Sequence, residues 1–125
     1  MRVLIVEDEF LIASLLEAVV QESGHQTLGP VSTVEQALAY APRADIALVD
    51  LGLLDGNSGH LLARRLIDRF GIDVIFVTGD PSSLSYGFDG ALAVIAKPFR
   101  DEEITEALER AIDKRSRSVA RRLGP

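Results

Sequence analysis

The chain has 125 residues, 47% of them hydrophobic, no cysteine and a net charge of −6. This composition suits one globular domain with a core of useful size, and it excludes disulfides, thiol catalysis and a disordered chain. The apolar runs are far shorter than a membrane span, and the acidic balance argues against nucleic acid as a partner of the domain body.

The charge is unevenly spread. Lys114, Arg115, Arg117, Arg121 and Arg122 fall in the last twelve residues, which hold no acid, so the first 113 residues carry eight basic against nineteen acidic side chains. The chain opens with no charged leader followed by a long apolar segment, and a cytoplasmic location is expected.

Arg2-Val3-Leu4-Ile5-Val6 reads as a buried strand, and three acids, Glu7-Asp8-Glu9, follow it. A helix is predicted from about Phe10 to Ser23, with Leu11, Leu15, Ala18 and Val19 on its inner face and Gly24 as its stop. Gln26 to Leu28 is a short second strand, broken by Gly29-Pro30. Ser32-Thr33-Val34-Glu35 matches a capping box and starts a short helix to about Ala41, before Pro42.

The run Ile46-Ala47-Leu48-Val49-Asp50 is apolar up to its final carboxylate, which marks a strand buried on both faces. Ser58 to Phe70 reads as a helix with Leu61, Leu62, Leu66 and Ile67 facing inward. Asp73 to Thr78 is a fourth strand. The stretch from Gly79 to Gly90 is rich in turn formers and leaves room for a short or frayed helix at most. Leu92 to Ala96 is a fifth strand, ending at Lys97-Pro98. The last helix is expected from Arg100 to about Ser116, with Ile104, Ala107, Leu108, Ala111 and Ile112 as its apolar stripe. Residues 1–116 then form the domain, and 117–125 a basic tail.

Strands alternating with helices predict an α/β fold, a doubly wound parallel sheet with helices on both faces. Right-handed crossovers bring the C-terminal ends of all strands to one edge, the edge where ligands bind in open α/β sheets. Glu7 and Asp8, Asp50, Thr78 and Lys97 stand at four of those ends. Crowded carboxylates repel one another, and a hard divalent cation such as Mg²⁺ relieves that repulsion. A carboxylate is also a competent nucleophile toward phosphorus, and a transferring phosphoryl group needs chiefly positioning and charge neutralisation. Asp50 is the candidate acceptor, with Mg²⁺, Lys97 and Thr78 to meet the phosphoryl oxygens. His25 and His60 have no acid partner at metal-like spacing and read as plain surface. Phe88 and Tyr86 read as anchors of the turn-rich loop or as contact residues.

Val-Glu-Asp at 6–8, Val-Asp-Leu at 49–51, Val-Thr-Gly at 77–79 and Lys-Pro-Phe at 97–99 together resemble the receiver domains of two-component response regulators. The resemblance covers about Arg2 to Ile112. It implies a flavodoxin-like three-layer fold with strand order 2-1-3-4-5. It implies that Asp50 accepts a phosphoryl group from a sensor histidine kinase or a histidine phosphotransferase. Asp8, Asp50 and the Gly52 carbonyl would hold Mg²⁺, with Glu7 acting through water. Thr78, Gly79 and Lys97 would bind the phosphoryl group, and the Lys97-Pro98 bond would be cis. A downstream protein target follows, and a homodimer is compatible with the family.

The departures are specific. Val94 stands where many receivers carry a switching aromatic, Leu54 where a proline is common, and Gly59 comes one residue late. Phe76-Val77-Thr78-Gly79 is partly similar to a bacterial subgroup named for a Phe-Ala-Thr-Gly-hydrophobic-Tyr motif, although Asp80 and Pro81 replace its last two residues. That subgroup lacks the aromatic switch and has a mobile fourth helix, so residues 80–90 become the expected moving part. Three readings remain open. The first is a free-standing receiver, since no output domain fits after the last helix. The second is a receiver cut from a hybrid kinase or a longer regulator. The third is a Mg²⁺-dependent phosphatase with an Asp nucleophile; Gly52 stands where the haloacid dehalogenase type needs a second Asp.

Overall fold

A computed structural model describes residues 1–52, 58–84 and 87–123. Leu54 and Tyr86 therefore lie outside the described residues. The elements run β1 (Arg2–Val6), α1 (Phe10–Glu22), β2 (Gln26–Val31), α2 (Val34–Tyr40), β3 (Ile46–Val49), α3 (Ser58–Phe70), β4 (Asp73–Thr78), β5 (Ala91–Ala96) and α4 (Asp101–Leu123). Short 3₁₀ turns cover Ala41–Arg43 and Pro81–Leu84. The five strands form one sheet in the order β2-β1-β3-β4-β5, and every pairing is parallel. This is the expected doubly wound flavodoxin-like architecture.

Strand alternation divides the core in two. Leu4, Val6, Ala47, Val49, Val74 and Phe76 point to one face and pack with Ala37 of α2 and Leu62, Ala63 and Leu66 of α3. Val3, Ile5, Ile46, Leu48, Ile75 and Val77 point to the other and pack with Leu16, Val19 and Val20 of α1 and Ile104, Leu108 and Ala111 of α4. The three central strands are thus buried on both faces, which is why they read as continuous apolar runs.

Several expectations are corrected. In α1 the buried residues are Ala13, Leu16, Val19 and Val20, while Leu11, Leu15 and Ala18 are exposed. The helix is apolar on more than one side, so spacing alone did not fix which side the sheet would take. Leu61 of α3 is likewise exposed, and Ser58 and Gly59 are buried in its place. β2 runs on through a cis Gly29-Pro30 bond to Val31, with a register shift opposite β1 between Leu4 and Val6. An edge strand has one side that needs no ladder bonds, so Pro30 is tolerated there. The cap of α2 is Thr33, one residue later than the box predicted: its hydroxyl accepts from the Gln36 backbone amide at 3.2 Å, and Gln36 Oε1 accepts from the Ser32 backbone amide at 3.1 Å.

α4 continues without a break to Leu123, so no change of secondary structure marks residue 116. Between β4 and β5 the described residues hold only the Pro81–Leu84 turn, as the composition of that stretch implied. The segment is better anchored than expected. Leu84 is buried, and Phe88 stacks edge-on against Phe76 with ring centroids 5.0 Å apart. The Arg64 guanidinium lies 4.8 Å over the Phe88 ring and also donates to the Asp89 carbonyl.

Candidate functional site

The strand ends meet as the topology requires. The Asp50 amide donates to the Val6 carbonyl at 2.9 Å, which carries the β1–β3 pairing up to Asp50 itself. The Lys97 amide donates to the Thr78 carbonyl at 2.8 Å and does the same for β4 and β5. Backbone pairing thus fixes the spacing of the functional side chains. Among the described residues, Glu7, Asp50, Ser58 and Thr78 are the buried polar ones, and Asp8 is half-buried.

Lys97 is the hub. Its ammonium lies 2.9 Å from Glu7 Oε2, 3.5 Å from Asp50 Oδ2 and 3.5 Å from Glu9 Oε1. The contact with Glu7 is close but poorly directed, so Glu7 Oε2 is buried without a well-aligned hydrogen bond. The other oxygen of Glu7 accepts from the Glu9 amide at 3.1 Å. Burial pushes the Glu7 carboxyl up to about 7; Lys97 and the Glu9 amide pull it down, and Asp50 adds to the rise. Burial also works against the Lys97 ammonium, but Glu7, Asp50 and Glu9 outweigh it and hold the lysine above its ordinary value.

Asp50 is oriented locally. Its Oδ1 accepts from the Gly52 amide at 2.9 Å, which leaves Oδ2 on the Lys97 side. Thr78 Oγ1 accepts from the Asp80 amide at 3.0 Å, and its hydroxyl hydrogen remains for another partner. Gly59 holds the floor. A Cβ there would come within 2.7 Å of the Asp50 carbonyl and 2.8 Å of Leu51 Cα, so the first turn of α3 can approach Asp50 this closely only without a side chain.

These residues line a cavity of about 390 Å³ that includes Asp50, Gly52, Thr78, Gly79 and Lys97. Its wall also holds Glu9, Asp80 and His60. The sequence reading placed His60 on plain surface. In the fold it is half-buried on this wall, its ring centroid 6.3 Å from that of Phe88. The signal was weak, because only the docking of α3 onto the sheet decides which way its second residue after Ser58 faces. His25 is also half-buried, with Nδ1 3.1 Å from the N-terminal amine. Val94 does not line the cavity; it is exposed on β5, opposite Phe76 in register. Lys97-Pro98 is cis.

The residues fit a hard cation. Glu7, Asp8 and Asp50 each offer a carboxylate oxygen, and these atoms lie within 4.8 Å of one another. The misdirected Glu7 Oε2 is a further sign of a donor set that its protein partners do not fully satisfy.

A family profile described as the response regulator receiver domain matches residues 3–109. The chain belongs to this family. Among curated relatives, the receiver is 36% identical to the phyllosphere-induced regulator PhyR of Methylorubrum extorquens, over 89% of this chain and 43% of PhyR. It is 32% identical to the virulence transcriptional regulatory protein PhoP of Salmonella choleraesuis, over 96% of this chain and 55% of PhoP. The receiver thus spans about half the length of the curated relatives it matches. Among solved structures, the response regulator PhyR of Brucella abortus superposes with a TM-score of 0.84 at 30% identity, over 95% of this chain and 50% of that one. A CheY-like receiver domain protein of Methanospirillum hungatei superposes with a TM-score of 0.79 at 27% identity, over 94% and 97%. Among the described residues, no helix of the receiver is long and apolar enough to cross a membrane.

Proposed function

We propose that this receiver accepts a phosphoryl group on Asp50 and passes the event on as a conformational change read by a protein target. The observation that carries the reading is the convergence at one sheet edge of a buried Asp50, a Lys97 ammonium 3.5 Å from it, a buried Thr78 and an acidic trio. The donor is a phosphohistidine of a sensor kinase or phosphotransferase protein. An Asp50 carboxylate oxygen attacks phosphorus, the P–N bond breaks, and its electron pair returns to the donor imidazole. An acyl phosphate results, and Asp50 needs no general base because it reacts as the carboxylate.

Lys97 neutralises charge on one phosphoryl oxygen, and the Thr78 hydroxyl donates to another. Gly79, without a side chain, leaves room beside them. Asp8 and Asp50, with the Gly52 carbonyl, would hold Mg²⁺, and Glu7 would act through water. When bound, the ion supplies charge neutralisation for the crowded carboxylates and the incoming phosphoryl group.

An apolar surface adjoins this edge. Phe10, Leu11 and Leu15 of α1 are 81%, 75% and 52% exposed, and the helix begins directly after Glu9. Exposed apolar clusters of this kind mark docking surfaces, and this one suits the protein donor. On the output side, Val94 rules out an aromatic rotor in β5. Residues 80–90, tied to Thr78 through the Asp80 amide, are the proposed moving segment. The domain itself is 1–116, it acts in the cytoplasm, and it signals rather than turning over a substrate.

The deciding experiment is incubation with Mg²⁺ and a small acyl-phosphate donor, read by intact mass. Wild type gains one phosphoryl group and Asp50→Asn gains none. Failure of wild type to label with small donors and with phosphohistidine proteins would sink the reading.

A further inference from the structure

His60 stands on the wall of the Asp50 cavity without a share in holding the phosphoryl group. The first turn of α3 brings it there. Gly59 packs against the Asp50 backbone, and His60 is the next residue. Its ring is half-buried and rests beside Phe88, with centroids 6.3 Å apart and planes tilted by 44°. Phe88 is itself pinned by Phe76 and by the Arg64 guanidinium. The imidazole is therefore kept at the cavity rather than left to swing in solvent. Among the described residues, neither of its nitrogens has a hydrogen-bond partner.

An acyl phosphate on Asp50 can be lost to water. The attacking oxygen must reach phosphorus from the side opposite the bond that breaks. Asp50 is only 4% exposed, so that side is the open side of the cavity, toward its half-buried wall. A water there becomes a better nucleophile when a side chain fixes it and takes its proton in the transition state.

The other polar groups of the wall are already committed. Lys97 is a cation, and the Thr78 hydroxyl is needed by the phosphoryl group. Glu9 is drawn to Lys97 at 3.5 Å, Asp80 accepts from the Ser82 hydroxyl, and the Ser83 hydroxyl donates to the Asp80 carbonyl at 3.0 Å. Gly52 and Gly79, close to Asp50 and Thr78 in the chain, have no side chain to offer. An imidazole is the side chain most often used as a base near neutral pH.

We propose that His60 is the catalytic base in hydrolysis of the Asp50 acyl phosphate, and that it thereby sets how long the receiver stays phosphorylated. The inference rests on Asp50 being the phosphoryl acceptor. One imidazole nitrogen accepts a hydrogen bond from the attacking water. The water oxygen bonds to phosphorus as the bond between phosphorus and the Asp50 oxygen breaks. That electron pair returns to the Asp50 carboxylate, the water proton passes to His60, and hydrogen phosphate leaves. His60 then gives its proton to solvent.

The test times loss rather than uptake. The full chain is labelled with Mg²⁺ and a small acyl-phosphate donor, freed of donor, and followed by intact mass. His60→Ala should keep its phosphoryl group at least roughly tenfold longer than wild type. His60→Gln, which can hold a water but takes no proton from it, should be nearly as slow. Added imidazole should speed loss from His60→Ala and leave wild type and His60→Gln unchanged. A ring needed only for packing would not be replaced in this way. Circular dichroism and urea midpoints check that both variants are folded.

A labelled His60→Ala that loses its phosphoryl group at the wild-type rate overturns this inference and leaves Asp50 as the acceptor. So does His60→Gln at the wild-type rate, which would reduce His60 to a hydrogen-bonding role. Faster loss from His60→Ala would make the ring a shield against water and also overturns it. If wild type does not label at Asp50, the acceptor reading and this one fall together.

Discussion

The Lys97 ammonium lies nearer to Glu7, at 2.9 Å, than to Asp50, at 3.5 Å. One cation therefore serves two buried carboxylates, and it is held by the residue that is not the proposed acceptor. A phosphoryl group arriving on Asp50 must compete with Glu7 for the lysine. Lys97→Met leaves Glu7 and Asp50 without that partner. Removing one member of a buried ionic cluster is expected to cost about 3 kcal/mol, measured as a lower urea midpoint without divalent cations. Added Mg²⁺ should recover part of the loss, and no recovery would argue against a cation among Glu7, Asp8 and Asp50.

Glu7 sets a pH dependence of unusual sign for a carboxylate. Its folded value is about 7 against a reference of 4.5, chiefly through burial. Between those values the folded state holds a proton that the unfolded state has released. Metal-free stability therefore falls as pH rises from about 4.5 to 7, by at most about 3 kcal/mol. Chemical denaturation across that window checks the slope. Glu7→Gln should flatten it, and an unchanged slope in the variant would assign it to other groups.

Gly59 packs directly against the Asp50 backbone. Gly59→Ala forces a methyl against the Asp50 carbonyl and Leu51. The expected cost is about 1–3 kcal/mol from overpacking, together with slower phosphoryl uptake from a small donor as the Asp50 backbone shifts. A variant with wild-type stability and uptake would show that the start of α3 can move freely.

Leu11 and Leu15 separate docking from chemistry. Both are exposed, so alanine at each should leave stability within about 0.5 kcal/mol of wild type. Labelling by a small donor should be unaffected, while transfer from a phosphohistidine protein should fall roughly tenfold. Equal rates with both donors would move the docking surface away from α1.

Residues 80–90 carry the proposed output. Binding of a phosphoryl mimic should slow amide exchange in the described part of this segment. Phe88→Ala, which removes the anchor on Phe76 and Arg64, should speed exchange there in the free protein. Unchanged exchange on mimic binding would exclude the segment as the switch.

The sequence by itself pointed to five strands in a parallel sheet and to the polar residues at their ends, Glu7, Asp8, Asp50, Thr78 and Lys97, while the order 2-1-3-4-5 came with the resemblance to receiver domains. Short apolar runs bounded by turn formers read as strands, and a polar residue that ends such a run emerges at the strand's end, although Val94 of the equally apolar β5 is exposed. The tertiary structure decided what depended on which side of an element met a neighbour. α1 and α3 carry apolar residues on more than one face, so only packing revealed that Leu11, Leu15 and Leu61 face outward and that His60 faces the cavity. Packing also decided how one lysine is shared between Glu7 and Asp50, and how far α4 runs on beyond the core. Periodicity is a local property of the chain, whereas orientation, shared partners and exposure arise only when distant segments compete for the same space.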